Sequence, residues 1–274
     1  MSKERCHWVN LANPLYIDYH DNEWGKIIKD DCKLFEILIL EGAQAGLKWE
    51  TILNKREGYR QAFSNFNLKK ILKFTDEEKL NLYSNPNIIR NKNKINSVFS
   101  NAKAFKKIQD NYGSFSKYFW AFSNNTPVHH ELGKNERAPS ENELSKHIAL
   151  DLKTKGFNFV GPKIIYSFMQ VIGMINDHTY NCFLHNRFTN WSVYIIECAK
   201  GQLYTGISNN VKKRFINHQL QKPNSAKYLR GKGPLKIVYI NKIGLKSDAL
   251  KEELRIKKLT RIEKLKMIDK YLQV

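Results

Sequence analysis

The stretch KGFNFVGPKIIYSFMQVIGM (155–174) decides how the first part of this chain is read. A helix stops at Gly156, a short hairpin holds Val160-Gly161-Pro162, and a second helix starts at once. Upstream, ELSKHIALDLKTKG (143–156) carries apolar residues at helical spacing, so the unit is helix, tight turn, helix. A tight turn that runs into a helix N-terminus offers backbone N–H groups and a positive dipole end to a phosphate. Such a contact grips a nucleic-acid backbone without reading bases, and it makes Gly161 and Lys163 candidate DNA contacts.

Immediately downstream, NDHTYNC (176–182) sets His178 and Cys182 at i, i+4, the spacing of one face of a helical turn. Cys6 and His20 lie near the N-terminus. Two thiolates and two imidazoles make a closed tetrahedral zinc shell, which is structural rather than catalytic. Such a site would fasten the first segment of a domain to its last. The chain changes character a few residues later, which predicts domains over 1–188 and 190–274. The remaining cysteines, Cys32 and Cys198, sit in apolar strings and read as core residues.

Outward from this region the first 188 residues read as mainly helical, with helical spacing in CKLFEILILEGAQAGL (32–47), LKKILKF (68–74) and KINSVFSNAKAFKKI (94–108). From Asn190 the pattern turns to strands: WSVYIIECA (191–199), QLYTGIS (202–208) and LKIVYIN (235–241). VKKRFINHQLQ (211–221) reads as a helix, and 247–272 as one long amphipathic helix capped by Ser247 or Asp248. The fold class is therefore a helical domain followed by a small α/β domain.

Charge points to the partner. The 274 residues carry a net charge of +20. Of this, 19 basic and 6 acidic side chains, net +13, fall in residues 190–274. A surface that basic attracts polyanions through counterion release, so nucleic acid is the first candidate. There is no run of 18 apolar residues and no signal-like N-terminus, so the expectation is a cytoplasmic monomer with no membrane and no protein partner. Four cysteines are too few for a disulfide scaffold.

At YIDYHDNEWG (16–25), LEGAQAGLKW (40–49), GFNFVGPKIIYSFMQ (156–170) and NDHTYNC (176–182) the chain resembles 3-methyladenine DNA glycosylase I. The resemblance covers about 185 residues in matching order. It implies a helix-hairpin-helix fold, a zinc site at Cys6, His20, His178 and Cys182, and alkylated double-stranded DNA as substrate. It also implies that Glu41 contacts the flipped base, with Tyr16 and Trp49 framing it and Tyr19 and Trp8 nearby. The chemistry agrees. N3-methylated adenine is cationic and already a good leaving group, so the enzyme must extract it and supply a pocket that prefers a cationic purine. Aromatic faces and one carboxylate do that, and Glu41 sits in an otherwise apolar helix where an unpaired carboxylate is costly. Trp24 and Tyr59 read as core. The family commonly has a small polar residue where this chain has Lys163. Lyase-competent members of the wider helix-hairpin-helix glycosylases place a Schiff-base lysine there, but a phosphate contact or a solvated side chain is the preferred reading.

Residues 191–266 resemble the GIY-YIG nuclease domain, most of all its small standalone bacterial branch, through VYI (193–195), YTG (204–206), KRFINH (213–218), AKYLRGKGPL (226–235) and the helix containing Glu253. The first motif reads Ser192-Val193-Tyr194, so the family's glycine is absent although the tyrosine stands. By motif position Tyr194 is the general base or water positioner, assisted by Tyr204. Arg214 would stabilise phosphoryl charge, His218 be a second acid/base partner, and Glu253 hold Mg²⁺ or Mn²⁺. Lys227, Arg230 and Lys232 would meet phosphates. A three-residue turn, Lys200 to Gln202, would put Tyr194 and Tyr204 on one sheet face. Together the two resemblances imply a base-excision enzyme coupled to a metal-dependent nuclease. The alternative is a glycosylase with a non-catalytic C-terminal DNA tether.

Overall fold

The computed structural model describes residues 3–185 and 191–272. Contacts divide the chain into two compact units, Met1–Cys182 and Phe183–Val274. Residues 186–190, where the change of sequence character falls, lie outside the described residues.

The first unit is helical. In chain order it holds α1 (Pro14–Asp18), a π-helical turn (Tyr19–Glu23), α2 (Asp31–Gln44), α3 (Trp49–Ala62), α4 (Leu68–Ile71), α5 (Asp76–Leu82), α6 (Lys92–Tyr112), α7 (Phe115–Ala121), α8 (Glu143–Thr154) and α9 (Pro162–Val171). Two short parallel strands, β1 (Val128–His129) and β2 (Ile175–Asn176), pair beside them. The centre is α2, buried continuously from Leu34 to Ala43 and packed by α3, α6, α7 and α9. A helix apolar on every side belongs in the middle of a core, which its sequence ILILEGA announces. Asp30 caps its start by accepting from Lys33 N–H at 2.8 Å. Lys94 closes its end, donating to the carbonyls of Ala43 at 2.9 Å and Ala45 at 2.6 Å.

The turn between α8 and α9 is pressed against α2. A Cβ added at Gly42 would lie 3.2 Å from Phe159, so any side chain there would push the turn back by a few tenths of an ångström. Phe159 itself takes a left-handed conformation, φ +55, which a bulky residue adopts only under constraint. Buried Asn101 supplies it. Its side chain accepts from Asn158 N–H at 2.8 Å and donates to Asn158 O at 3.0 Å, clamping the turn from α6.

The second unit is a three-stranded antiparallel sheet. β3 (Trp191–Glu197) runs between β4 (Leu203–Ser208) and β5 (Lys236–Gly244). On one face, Val193 and Ile195 pack with Val238 beneath Ala249, Ile256 and Ile268. On the other, Tyr194 and Ile196 pack with Leu229, Val211 and Phe215. Thus α10 (Val211–Gln219) covers the tyrosine face, while α11 (Lys246–Lys258) and α12 (Arg261–Leu272) cover the opposite one.

Four readings change. The long helix expected over 247–272 is two helices, because Leu259 is extended and Thr260 and Glu263 form a reciprocal cap at 2.7 and 3.3 Å. The N-cap of α11 is Leu245, without a side-chain bond, rather than Ser247 or Asp248. The β3–β4 turn is Ala199–Gly201, closed by Cys198 N–H on Gln202 O at 2.9 Å, one residue earlier than expected. Its length stays at three residues, so strand parity is unchanged. Finally, Cys32 is exposed at the start of α2, whereas Cys198 is buried.

Candidate functional sites

Glu41 lies in the last turns of α2, 3% exposed, and lines a cavity of about 600 Å³. Trp8, Tyr16, Tyr19, Trp24 and Trp49 line the same space. The contrast with Glu36, on the same helix, is instructive. Glu36 accepts from Arg60 at 2.8 and 3.0 Å and from Lys33 at 3.1 Å. Glu41 has no hydrogen-bond or ion-pair partner among the described residues, and burial alone pushes its pKa up to about 8. A second unsatisfied group faces the same cavity: the Trp49 indole N–H is buried without a partner. Both call for a polar ligand, since burying such groups unpaired costs on the order of 1–3 kcal/mol each.

The aromatic walls form a continuous series. Tyr19 meets Trp49 at 5.1 Å between ring centroids, Tyr16 meets Trp8 at 5.7 Å, and Trp8 meets Trp24 edge-on at 4.8 Å. Trp24 in turn stands edge-on to His178 at 4.5 Å, which ties the cavity wall to the cysteine–histidine cluster. Burial raises the Tyr19 hydroxyl well above the usual phenol range, and burial followed by Glu50 and Glu41 raises Tyr16. All five residues expected around the base, Glu41, Tyr16, Tyr19, Trp49 and Trp8, thus share one cavity. Of the two residues assigned to the core, Tyr59 is buried, and Trp24 is buried but also lines the cavity.

Cys6, His20, His178 and Cys182 are all buried, and their ligand atoms lie within 4.8 Å of one another. Cys182 Sγ is 3.4 Å from both His20 Nε2 and His178 Nδ1, and Cys6 Sγ is 3.5 Å from His178 Nδ1. No helix holds His178 and Cys182. A turn does, closed by Cys182 N–H on Thr179 O at 2.8 Å, because four residues in any compact turn can converge as helical i, i+4 neighbours do. Outside the four, His20 Nδ1 meets Asp21 at 2.8 Å, and Asp21 is held bidentately by Arg5 at 2.7 and 2.8 Å. Gly25, with φ +76, sits where a Cβ would come 2.9 Å from His178 Nε2.

Sequence reasoning missed Asp177. It is buried on the cavity wall and accepts from Tyr166 at 2.7 Å, Gln170 at 2.6 Å and His130 at 2.7 Å. A carboxylate wedged between an apolar segment and a histidine of the cysteine–histidine set was the available signal. Gly161 precedes α9 and has open space around it. Lys163 is exposed on the cavity rim and has no partner among the described residues.

In the second unit, register pairs Tyr194 with Gly206 and Tyr204 with Ile196, so both tyrosines stand on the same face. Gly206 makes room for them: a Cβ there would lie 2.9 Å from Tyr194 Oη and 3.0 Å from Tyr204. Tyr194 is fully buried and its hydroxyl meets His218 Nε2 at 3.0 Å. His218 Nδ1 accepts from Ala226 N–H at 3.3 Å, which leaves the ring proton on Nε2, aimed at Tyr194. Burial, then Arg214, lowers the His218 pKa to about 4, so the ring is neutral at pH 7. Burial also raises Tyr194 far above the phenol range, while Arg214 opposes that shift. Arg214 donates to Asn224 O at 2.5 Å.

Tyr194, Tyr204, Arg214 and His218 are therefore brought together; among the described residues no hydrogen bond or ion pair joins Glu253 to them. It lies on α11, against the opposite face of the sheet, paired with Lys257 at 3.0 Å. Lys227 and Arg230 are exposed, and Lys232 is fixed 3.4 Å above the Tyr228 ring, which stacks on Tyr204.

Known proteins match both halves. Residues 8–185 match the methyladenine glycosylase family, and residues 190–266 match the GIY-YIG catalytic domain. The first part is 42% identical over 179 residues to DNA-3-methyladenine glycosylase 1 of Escherichia coli, covering 65% of this chain and 95% of that protein. A crystal structure of 3-methyladenine DNA glycosylase I superimposes with TM-score 0.64 at 43% identity, over 66% of this chain and all of that one. The second part is 48% identical over 77 residues to a UPF0213 protein of Oceanobacillus iheyensis, covering 28% of this chain and 87% of that protein. The chain belongs to the methyladenine glycosylase family and carries a GIY-YIG domain after its glycosylase part.

Proposed function

We propose that the first unit removes N3-methylated adenine from duplex DNA and that the second cuts phosphodiesters with the help of a divalent metal. One observation carries the first reading: a buried carboxyl, Glu41, with no partner among the described residues, lines a cavity walled by the rings of Trp8, Tyr16, Tyr19, Trp24, Trp49 and Tyr166. An uncharged purine gains little from such a site over water. A cationic one gains twice, from the ring faces and from the carboxylate. As the cation enters, Glu41 gives up its proton to solvent and accepts from the base edge. The methylated base leaves as a neutral purine with the glycosidic electron pair, and water adds at C1′ and releases its proton to solvent. Tyr16, Tyr19, Trp8 and Trp49 hold the base; the N–H groups ahead of α9, beside Gly161, hold a backbone phosphate.

Cys6, His20, His178 and Cys182 fit a zinc ion, being two thiols and two imidazoles, all buried and mutually close. They would bind it as a structural closure with no open position. Mg²⁺ or Mn²⁺ fits the second unit less completely. Among the described residues only the cysteine–histidine group gathers three or more metal-ligating side chains, so Glu253 would share its metal with waters and a phosphate. The metal would supply charge for the scissile phosphate. Tyr194 positions the attacking water, with Tyr204 beside it; His218 orients Tyr194 through Nε2–H; and Arg214 meets developing phosphoryl charge. Lys227, Arg230 and Lys232 draw the backbone in. No described helix is long and apolar enough to cross a membrane; we place the protein in the cytoplasm as a monomer acting on alkylated duplex DNA.

The placement of Glu253 with Lys257, and Ser192 in place of the family's glycine, favour a second reading in which the C-terminal unit is a DNA tether. Duplex DNA with one methylated adenine, assayed for base release and nicking with and without Mg²⁺, separates them. Release with a Mg²⁺-dependent nick lost in Glu253→Ala supports the coupled enzyme. Release with no enzymatic nick leaves the tether, and no release refutes base excision.

A further inference from the structure

The connection from β1 to α8 contributes Leu132 and residues 136–140 to the lining of the Glu41 cavity. It is held in place along its length. Leu132 is buried, and its carbonyl accepts from Tyr180 N–H at 2.8 Å, in the turn that carries His178 and Cys182. Glu136 closes the next turn: its carboxylate accepts from Gly133 N–H at 2.8 Å, and its own N–H donates to Gly133 O at 3.2 Å. Asn142 then caps α8, accepting from Ser145 N–H at 2.8 Å. Arg137 follows the Glu136 turn directly, on the cavity lining, exposed and with no hydrogen-bond, ion-pair or ring partner among the described residues. The arginines that serve the fold of this unit behave otherwise, since Arg5, Arg56 and Arg60 each meet a carboxylate within 2.8 Å. The carboxylate next to Arg137 in sequence, Glu136, is already committed to the Gly133 turn.

Burial is the only cause of the Glu41 shift, so the guanidinium stands clear of the buried carboxyl rather than paired with it. The cavity thus has an aromatic, carboxyl-bearing interior that favours a cation and an exposed arginine that repels one. For a free cationic base these preferences conflict. They agree for a nucleotide still in its strand, which is cationic at the methylated base and anionic at the phosphates on either side. We propose that Arg137 grips a DNA phosphate adjoining the extruded nucleotide, a hold on the strand separate from the N–H groups ahead of α9. The proposal rests on the base-excision reading above and adds a binding residue to it. A guanidinium presents two parallel N–H donors to two phosphate oxygens, which a lysine ammonium cannot do. The contact is made equally before and during bond breaking, so it strengthens substrate binding and leaves the chemical step alone.

The test uses the full-length protein in Mg²⁺-free buffer and a duplex holding one tetrahydrofuran residue, a stable abasic analogue. Arg137→Gln should weaken binding to this duplex about tenfold and reduce the slope of log affinity against log salt by about 1. Arg137→Lys, which keeps the charge and loses the fork, should fall between. The loss on undamaged duplex should be smaller, because no nucleotide is extruded there. Neutral methylphosphonates placed one at a time on either side of the analogue locate the contact. One of them should weaken wild-type binding and leave Arg137→Gln binding unchanged. Release of methylated adenine at saturating protein should stay within about twofold of wild type. Methylphosphonate losses that add to the Arg137→Gln loss at every position overturn the proposal. So does an equal loss on undamaged duplex, or a lowered unfolding midpoint in both variants, which would make Arg137 structural. Binding to the analogue requires no base removal, so its outcome is separate from the excision reading; absence of methylated-adenine release by wild-type protein would refute that reading alone.

Discussion

Replacing Glu41 by glutamine should stabilise the first unit, and the gain should depend on pH in a way that identifies its cause. Burial raises the Glu41 pKa from 4.5 to about 8. A group whose folded-state pKa lies above its unfolded value contributes full stability below the unfolded pKa. That stability is lost as pH rises towards the folded one. Wild-type protein should therefore lose about 1.4 kcal/mol per pH unit relative to Glu41→Gln between roughly pH 5 and pH 7.5, accumulating about 4 kcal/mol. Glutamine carries its own burial cost, but that cost does not titrate, so the slope is the diagnostic quantity. Urea unfolding followed by tryptophan fluorescence at several pH values measures it, because four of the five tryptophans, Trp8, Trp24, Trp49 and Trp120, lie in this unit. Titration of the cysteine–histidine cluster is common to both proteins and cancels in the difference. A difference that stays constant from pH 5 to pH 8 would show that Glu41 is solvated, and the account of a cation-selecting pocket would fail with it. The same substitution should abolish base release, so that stability and activity move in opposite directions.

Metal analysis of protein purified without chelator should find one zinc per chain. Cys182→Ser should lose the zinc and lower the unfolding temperature of the first unit; full-strength folding without metal would refute the assignment. Gly206→Ala places a methyl 2.9 Å from Tyr194 Oη. It should destabilise the second unit by about 1–3 kcal/mol and abolish nicking while base release continues. Asp177→Asn leaves Tyr166, Gln170 and His130 competing for one carbonyl and should cost about 2–4 kcal/mol in chemical unfolding, against nearly nothing if the three bonds are incidental.

The helical half was legible because its signals are local. The apolar run of α2, the glycine turn ahead of α9 and the position of Glu41 each follow from residues close in sequence. The cysteine–histidine set was legible despite its separation, since few other roles suit two thiols and two imidazoles at such spacing. What the sequence concealed depends on three-dimensional closure. Asn101 clamps Asn158 across 57 residues, and nothing near either asparagine announces the pairing. Asp177 looked like part of a motif, and its three donors come from β2's surroundings and from α9. The break at Leu259 was readable, because Thr260 and Glu263 spell a capping box, but the continuous helical periodicity on either side masked it. The side of the sheet that carries Glu253 could not be read from a strand–helix pattern, since connection lengths do not fix which face a final helix covers.

The cysteine–histidine cluster also has a consequence during synthesis. Cys182 follows His20 by 162 residues, so at ribosomal rates the last member of the cluster emerges roughly 10–30 s after the first histidine. Throughout that interval Cys6 is an uncommitted thiol on a nascent chain, and the N-terminal segment has nothing to fasten to. Completion of the cluster falls just before the second unit begins to be made. A ribosome that stalls earlier releases a chain whose two ends cannot be joined, and one that continues delivers the basic unit behind a domain already locked shut.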